Sequence, residues 1–483
     1  MHSITVKRKI TSKMKAWKAD PDHKPLVLTG CRQIGKTYSV REFGRENYDD
    51  MIYINFEEMP EQKTIFEGNL DYRTIIDRIE TINRKILRKG RSIVILDEIQ
   101  SCDAAYSSLK SLSQQHDIDI IALGSFLGLR IGDTSGGISP LGYVDLMDMY
   151  PMDFEEFMWA MGYDEALIRA IAYKIRAAEK IDPVINKSLN DAFRHYIAIG
   201  GMPEAVGIYS STGSYMRAYE RLKDIVEILK RDAGRYSKST DRMKIIKCLE
   251  SIPNQLAKKN KKFIYSDIEK RKGRGIRYYG SALDWLRNAG LIMNCHNITE
   301  PNQPLSGKVC ESDFKIYLSD TGIMSVLMED ADIDAIVNRD PYANNGAFIE
   351  NAVACALVKR GYALRFYEKP DSTLEIDFVL NIGGTVNLLE VKSGRNKKSK
   401  SLSTLMAEKD RNRVGIKLTE GDILTDGKGI VHLPLYAACF LEENTVAEIG
   451  PLDPSSVNAR FKELGEMTEK DKKPEPGAKG GFL

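Results

Sequence analysis

The residues best suited to chemistry form a short run, Gly30-Cys-Arg-Gln-Ile-Gly-Lys-Thr37, which fits the pattern G-x-x-x-x-G-K-[ST] throughout. Backbone N–H groups of such a loop, with the N-terminus of the helix it opens, present donors and partial positive charge to phosphate oxygens. Glycine is needed because the backbone must turn sharply and approach the phosphates without a Cβ in the way. The pattern predicts that Gly30, Cys31, Arg32, Gln33, Ile34, Gly35, Lys36 and Thr37 line a nucleotide site. Lys36 would reach the β- and γ-phosphates, and Thr37 would ligate magnesium. A chance glycine-rich turn is the alternative, and an acidic pair about sixty residues downstream argues against it. Ile93-Val-Ile-Leu-Asp97-Glu98 is an apolar strand ending in two carboxylates. Asp97 is expected to hold the magnesium, and Glu98 to polarise the attacking water as general base. Two such acids could otherwise cap the next helix. Ser125, after the following apolar run, is a candidate sensor of the γ-phosphate. The ligands these residues predict are ATP and Mg2+.

A second constellation lies far along the chain, in Glu375-Ile-Asp377-Phe-Val-Leu and Val386-Asn-Leu-Leu-Glu390-Val-Lys392. Glu390 and Lys392 are two apart on one strand and so project from the same face, where Asp377 of the adjoining hairpin strand can meet them. Two carboxylates and a lysine held on strands can bind magnesium and activate water against a phosphodiester. The same residues also suit a solvated face with cross-strand ion pairs. The basic run from Lys392 to Lys400 follows directly and offers charge to a phosphate backbone.

The elements that must position these groups can be read from periodicity. Short apolar runs at Pro25–Thr29, Met51–Phe56, Ser92–Leu96 and Ile118–Ala122 alternate with helical segments at Lys36–Asn47 and Tyr72–Lys89. Strands this apolar, separated by helices, predict a parallel sheet covered on both faces. From Asp153 to about Asp232 the period is helical. Within Thr240–His296, two helices at Tyr265–Glu269 and Tyr278–Ala289, followed by a strand at Leu291-Ile-Met, suit a winged-helix unit. A new α/β pattern opens at Gly346, with a helix over Ala347–Arg360 and strands at Ala363–Tyr367, Glu375–Leu380 and Val386–Val391. Trp159 and Trp285 sit at helical, apolar spacing and are expected in the core, while Trp17 is expected to pack an N-terminal arm onto the first sheet.

Composition bounds the rest. A chain of 483 residues, 42% hydrophobic and 29% charged, has material for two to four soluble domains. The net charge of +2 gives no global sign of nucleic-acid binding. Seven scattered cysteines without a C-x-x-C pair speak against a disulfide framework or zinc site and predict a cytoplasmic protein. No apolar run is long enough for a signal peptide or a membrane helix.

Taken together, Leu28–Thr37, Asp97-Glu-Ile-Gln100, Tyr150-Pro-Met-Asp-Phe-Glu-Glu-Phe157, Gly200-Gly-Met-Pro-Glu204, Ala282–Leu291 and Phe314–Gly322 resemble a family of prokaryotic AAA-type P-loop ATPases. These carry a C-terminal domain of unknown function related to PD-(D/E)xK nucleases, and the likeness spans roughly residues 5–455. It implies an α/β fold: a P-loop ATPase core with a parallel sheet over 1–150, a helical lid over 151–232 and a winged-helix element over 233–330. A restriction-endonuclease-like α/β domain over 331–461 and a disordered tail over 462–483 would follow. It also implies Asp377 and Glu390 as metal ligands, Lys392 beside the attacking water, and Glu350 as the extra acid such cores carry. An arginine from a neighbouring subunit or the lid completes many AAA-type sites, and Arg231 and Arg235 are candidates. The expected function is an ATP-hydrolysing switch acting with DNA or RNA. The alternative is a regulatory ATPase, with a protein partner or as a homo-oligomer, whose C-terminal domain is an inactive scaffold.

Overall fold

The computed structural model describes residues 7–115, 117–124, 140, 142–233, 239–269, 275–328, 346–392, 399–408, 413–427 and 429–442. Ser125, Arg235, residues 393–398 of the basic run and the 462–483 tail lie outside them. In chain order the first elements are α1 (Lys9–Ala19), β1 (Leu26–Gly30), α2 (Lys36–Asn47), β2 (Asp50–Asn55), α3 (Tyr72–Asn83), β3 (Ser92–Asp97), α4 (Asp103–Leu112), β4 (Asp119–Leu123) and β5 (Asp145–Met149). All pairings in the first sheet are parallel, in the order β2-β3-β4-β1-β5.

Strand periodicity divides its core in two. Leu26, Leu28, Ile93, Ile95, Ile121 and Leu123 face α1 and α2, where Met14, Trp17, Val40 and Phe43 meet them. The intervening Val27, Val94, Leu96, Ile120 and Ala122 face α3 and α4, against Ile75, Ile79, Ala105 and Leu109. Trp17 thus anchors the N-terminal helix as expected, its Nε1–H donating to the Lys24 carbonyl at 2.9 Å. Helix α3 ends earlier than its sequence suggests. Arg84 takes a left-handed conformation with φ of 51°, and its N–H closes the helix on Glu80 and Thr81.

Five helices follow: α5 (Phe154–Ala160), α6 (Glu165–Arg176), α7 (Pro183–Ile199), α8 (Pro203–Thr212) and α9 (Tyr215–Asp232). Then come α10 (Ser239–Leu256), α11 (Ile276–Asn288), β6 (Ile292–Ile298), β7 (Val309–Leu318), α12 (Thr321–Leu327), α13 (Gly346–Lys359), β8 (Arg365–Glu368), β9 (Glu375–Ile376), β10 (Phe378–Ile382) and β11 (Thr385–Val391). The described chain closes with α14 (Lys400–Met406), β12 (Arg413–Thr419), β13 (Leu424–Thr425), β14 (Ile430–Pro434) and a 3-10 helix over Leu435–Phe440. The second sheet has the order β7-β6-β8-β9 and the third β10-β11-β12-β14-β13. The strand expected over Glu375–Leu380 is interrupted at Asp377, and the helix expected near Tyr265 is one short 3-10 turn. Trp159 and Trp285 are half-buried against the core. All seven cysteines are free, and no described helix is long and apolar enough to cross a membrane.

One junction ties the first sheet's helical neighbours to the later strands. The turn Gly200-Gly201 packs so tightly that a Cβ at Gly201 would lie 2.1 Å from the Met152 carbonyl oxygen. The buried Asp320 carboxylate accepts the Gly201 N–H at 2.7 Å while capping α12 through the N–H groups of Gly322 and Ile323.

Candidate functional site

Strand β1 delivers the phosphate-binding loop and α2 receives it. Gly30 has φ of 155° and lies so close to β5 that a Cβ would sit 2.4 Å from the Met149 carbonyl oxygen. Gly35, with φ of 85°, caps α2 from the left-handed region. Lys36 Nζ donates to the Gly30 and Cys31 carbonyls at 2.9 and 2.8 Å, partners that a phosphate oxygen can replace at greater gain. Burial lowers the Lys36 pKa, with Cys31, Glu98 and Asp97 opposing the shift. Cys31 is pushed up to about 12 by burial, so it stays a thiol.

The end of β3 stands beside this loop. Asp97 Oδ2 accepts Thr37 Oγ1–H at 2.7 Å and Tyr53 O–H at 2.8 Å, while Oδ1 accepts the Glu98 N–H at 2.9 Å. The hydroxyl and carboxylate expected to share a magnesium ion are therefore in direct contact. Glu98 follows with φ of 51°, a left-handed residue whose side chain is hydrogen-bonded by Gln100 Nε2. Burial raises the Glu98 pKa, against the hydrogen bond from Gln100, which favours a proton acceptor of more than ordinary basicity. Arg32 reaches out of the loop to Asp232 at the end of α9, 3.1 Å away. The donor set fits a magnesium nucleotide: a glycine cradle, a displaceable ammonium, and a hydroxyl–carboxylate pair.

The second constellation also assembles. Phe378 pairs with Leu389 across the hairpin, which sets Asp377 beside β11, and Asp377 Oδ2 accepts the Val391 N–H at 2.8 Å. Lys392 Nζ and Glu390 Oε1 form an ion pair at 2.7 Å. The other oxygen, Glu390 Oε2, is buried and has no hydrogen-bond partner among the described residues. Burial, followed by the negative charge of Glu350, pushes Asp377 up to about 6.

Glu350 on α13 brings groups that sequence reasoning missed. It is bonded by Lys261 Nζ and Tyr317 O–H, with Lys315 Nζ at 3.4 Å. Lys315 also lies 2.7 Å from Glu375 Oε1. Burial opposes ionisation of Glu350, but Lys315 and Lys261 outweigh it and hold its carboxyl below the ordinary range. The sequence signal was a lysine and a tyrosine two apart within the apolar run Phe314-Lys-Ile-Tyr-Leu318. Among the described residues no three His, Cys, Asp or Glu side chains converge as a metal-ligand set, so an ion here would draw on Asp377, Glu390 and solvent.

Residues 22–158 match the family model described as an AAA domain. Residues 190–334 and 345–437 match two domains of unknown function, DUF8612 and DUF4143. No curated protein matches the chain. Among solved structures, it is similar to the walker-type ATPase of Pyrococcus abyssi, at 16% identity and TM-score 0.41, over 67% of this chain and 96% of that one. It is also similar to the ORC2 protein of Aeropyrum pernix in its ADPNP–ADP complexes, at 13% identity and TM-score 0.34, over 70% and 95% of the two chains. A signal-transduction ATPase with a tetratricopeptide repeat sensor, from Pyrococcus horikoshii, is similar at 12% identity and TM-score 0.25, over 75% and 50%. At such identities and scores the structural likeness carries no functional weight. The N-terminal segment is an AAA-type P-loop ATPase domain.

Proposed function

From this ATPase domain, we propose an ATP-hydrolysing switch that acts with nucleic acid through a nuclease-like C-terminal domain. In the first site Lys36 leaves its loop carbonyls for the β- and γ-phosphates, and the loop N–H groups hold their oxygens. Thr37 and Asp97 hold magnesium, which supplies positive charge to the phosphates when bound. Glu98 takes the proton of the attacking water. The Arg32–Asp232 pair gives the loop a direct handle on the helical lid. Helices α10 and α11 followed by the β6–β7 pair are read as the winged-helix element.

In the C-terminal part, Asp377 and Glu390 are assigned to a divalent ion and Lys392 to the attacking water. The observation that carries this assignment is the buried Glu390 Oε2, without a hydrogen-bond partner among the described residues, on a carboxylate that pairs with Lys392 and lies on the strand next to Asp377, since a buried carboxylate oxygen without a donor lacks compensation for its lost water. The test is fluorescence anisotropy of the full chain with labelled duplex DNA and hairpin RNA across a salt series, followed by cleavage assays with magnesium or manganese. Binding that weakens steeply with salt is expected. Absence of binding at about 50 mM salt with ATP present removes the nucleic-acid reading. Absence of cleavage removes the active-nuclease reading.

A second reading is favoured by Lys261 and Lys315, which already balance the charge of Glu350 without any ion. In it the C-terminal domain is a scaffold, and the ATPase regulates protein partners. ATP turnover that responds to a protein partner and ignores DNA and RNA would select it.

A further inference from the structure

We infer that Arg8 is a positioning residue of the ATPase site, locking the Ile34–Gly35 peptide of the phosphate-binding loop. Arg8 precedes α1 and its side chain is 6% exposed. All three guanidinium nitrogens are engaged. Nη1 donates to the Ile34 carbonyl at 2.8 Å, Nη2 to the Tyr150 carbonyl at 2.7 Å, and Nε to Glu156 Oε1 at 3.0 Å. One side chain thereby joins the loop, the segment after β5 and the first turn of α5.

The Ile34 contact matters because of peptide geometry. The Ile34 C=O and the Gly35 N–H belong to one planar trans unit and point in opposite directions. Fixing the carbonyl on Arg8 therefore fixes the direction of a loop N–H. Gly35 has no Cβ and occupies φ of 85°, so little in its own backbone resists rotation of that unit. Arg8 supplies the resistance from outside the loop. Its planar fork suits this task, since two of its N–H groups must be aimed at two carbonyls in fixed geometry.

The partner Glu156 accounts for the Tyr150–Phe157 motif. Its carboxylate accepts Arg8 Nε–H, the Lys9 N–H and the Asp153 N–H, the last as half of a capping box for α5. It is as buried as Arg8, with side-chain exposure of 6%. Lys9 docks the same helix on the same motif, through Asp153 and Glu155 at 2.6 and 2.5 Å. Among the described residues, its hydrogen bonds and ion pairs go to Asp153, Glu155 and Glu156 and to no residue of the loop.

That contrast provides the experiment. In the full chain, R8A, R8K and K9A are compared by binding of a fluorescent ADP analogue, by steady-state ATP turnover and by melting without nucleotide. R8A is expected to weaken ADP binding about tenfold or more, as loss of a charge-assisted hydrogen bond to the loop implies. R8K should lie between R8A and wild type. K9A should melt lower yet bind ADP within about twofold of wild type, because it loosens α1 without releasing the Ile34 peptide. Equal losses of ADP affinity in R8A and K9A would reduce Arg8 to a docking residue and overturn the inference. If R8A does not fold, R8K decides: wild-type ADP affinity in R8K overturns the inference, and weakened affinity with an unchanged melting point supports it.

Discussion

Replacing Lys315 with methionine removes one ammonium from the C-terminal carboxylate cluster at similar volume. Lys315 is 1% exposed, 2.7 Å from Glu375 and 3.4 Å from Glu350, with its ammonium 4.7 Å from the Phe366 ring centroid. Deleting one partner of a buried pair costs about 3–5 kcal/mol, because the remaining charge loses its counter-ion inside the protein. Lys261 and Tyr317 stay on Glu350, so the low end, about 3 kcal/mol, is expected for K315M. Urea unfolding measures it, and a cycle with E350Q isolates its origin. With the glutamate neutralised, K315M should cost less by at least about 1 kcal/mol. The sign with pH follows from Glu350. Its folded pKa is held below the ordinary 4.5, at about 2, so its stabilisation is complete above 4.5 and is lost as pH falls through 2. The wild-type advantage over K315M should be full at neutral pH and shrink as the solution is acidified across that window. Additive single effects, with a gap that does not change on acidification, would refute the ion-pair account.

In the ATPase site, K36A should abolish phosphate release while circular dichroism stays that of wild type. E98Q should still bind ATP but hydrolyse it at least about a hundredfold more slowly. D377N should remove any metal-dependent cleavage and leave ATP turnover within about twofold of wild type, since it lies outside the nucleotide loop. G201A should lower stability by about 3 kcal/mol or more, read by thermal melting, because its methyl would overlap the Met152 carbonyl.

Much of the first site was legible because its information is local. The loop pattern, the helix from Lys36 to Asn47 and the apolar runs of β1, β3 and β4 each lie within a dozen residues. Strand β5 escaped notice because Asp145-Leu-Met-Asp-Met149 is an edge strand with only Met149 buried. Its acidic residues are used elsewhere: Asp148 accepts Thr29 Oγ1–H, and Asp145 accepts the Lys24 N–H. Asp377, Glu390 and Lys392 were readable from a two-residue period on one hairpin. Lys261 and Lys315 were not, because their pairing with Glu350 spans separations of 89 and 35 residues that no local pattern encodes. Arg8 was hidden for the same reason, its partners lying 26, 142 and 148 residues away.

The second sheet bears on how this chain can be divided in the laboratory. Its strands β7 and β6 fall within the segment 190–334, and β8 and β9 within the segment 345–437. The seam is hydrogen-bonded: His296 and Asn297 pair with Arg365 and Phe366, and Asn297 Oδ1 takes the Glu368 N–H. Asn351 of α13 adds a second seam, its amide meeting both the N–H and the carbonyl of Leu318. A fragment cut between the two segments would bare a strand edge on β6 and strand polar groups that are buried in the whole. Expressed apart, each piece should aggregate; expressed together, they should reassociate.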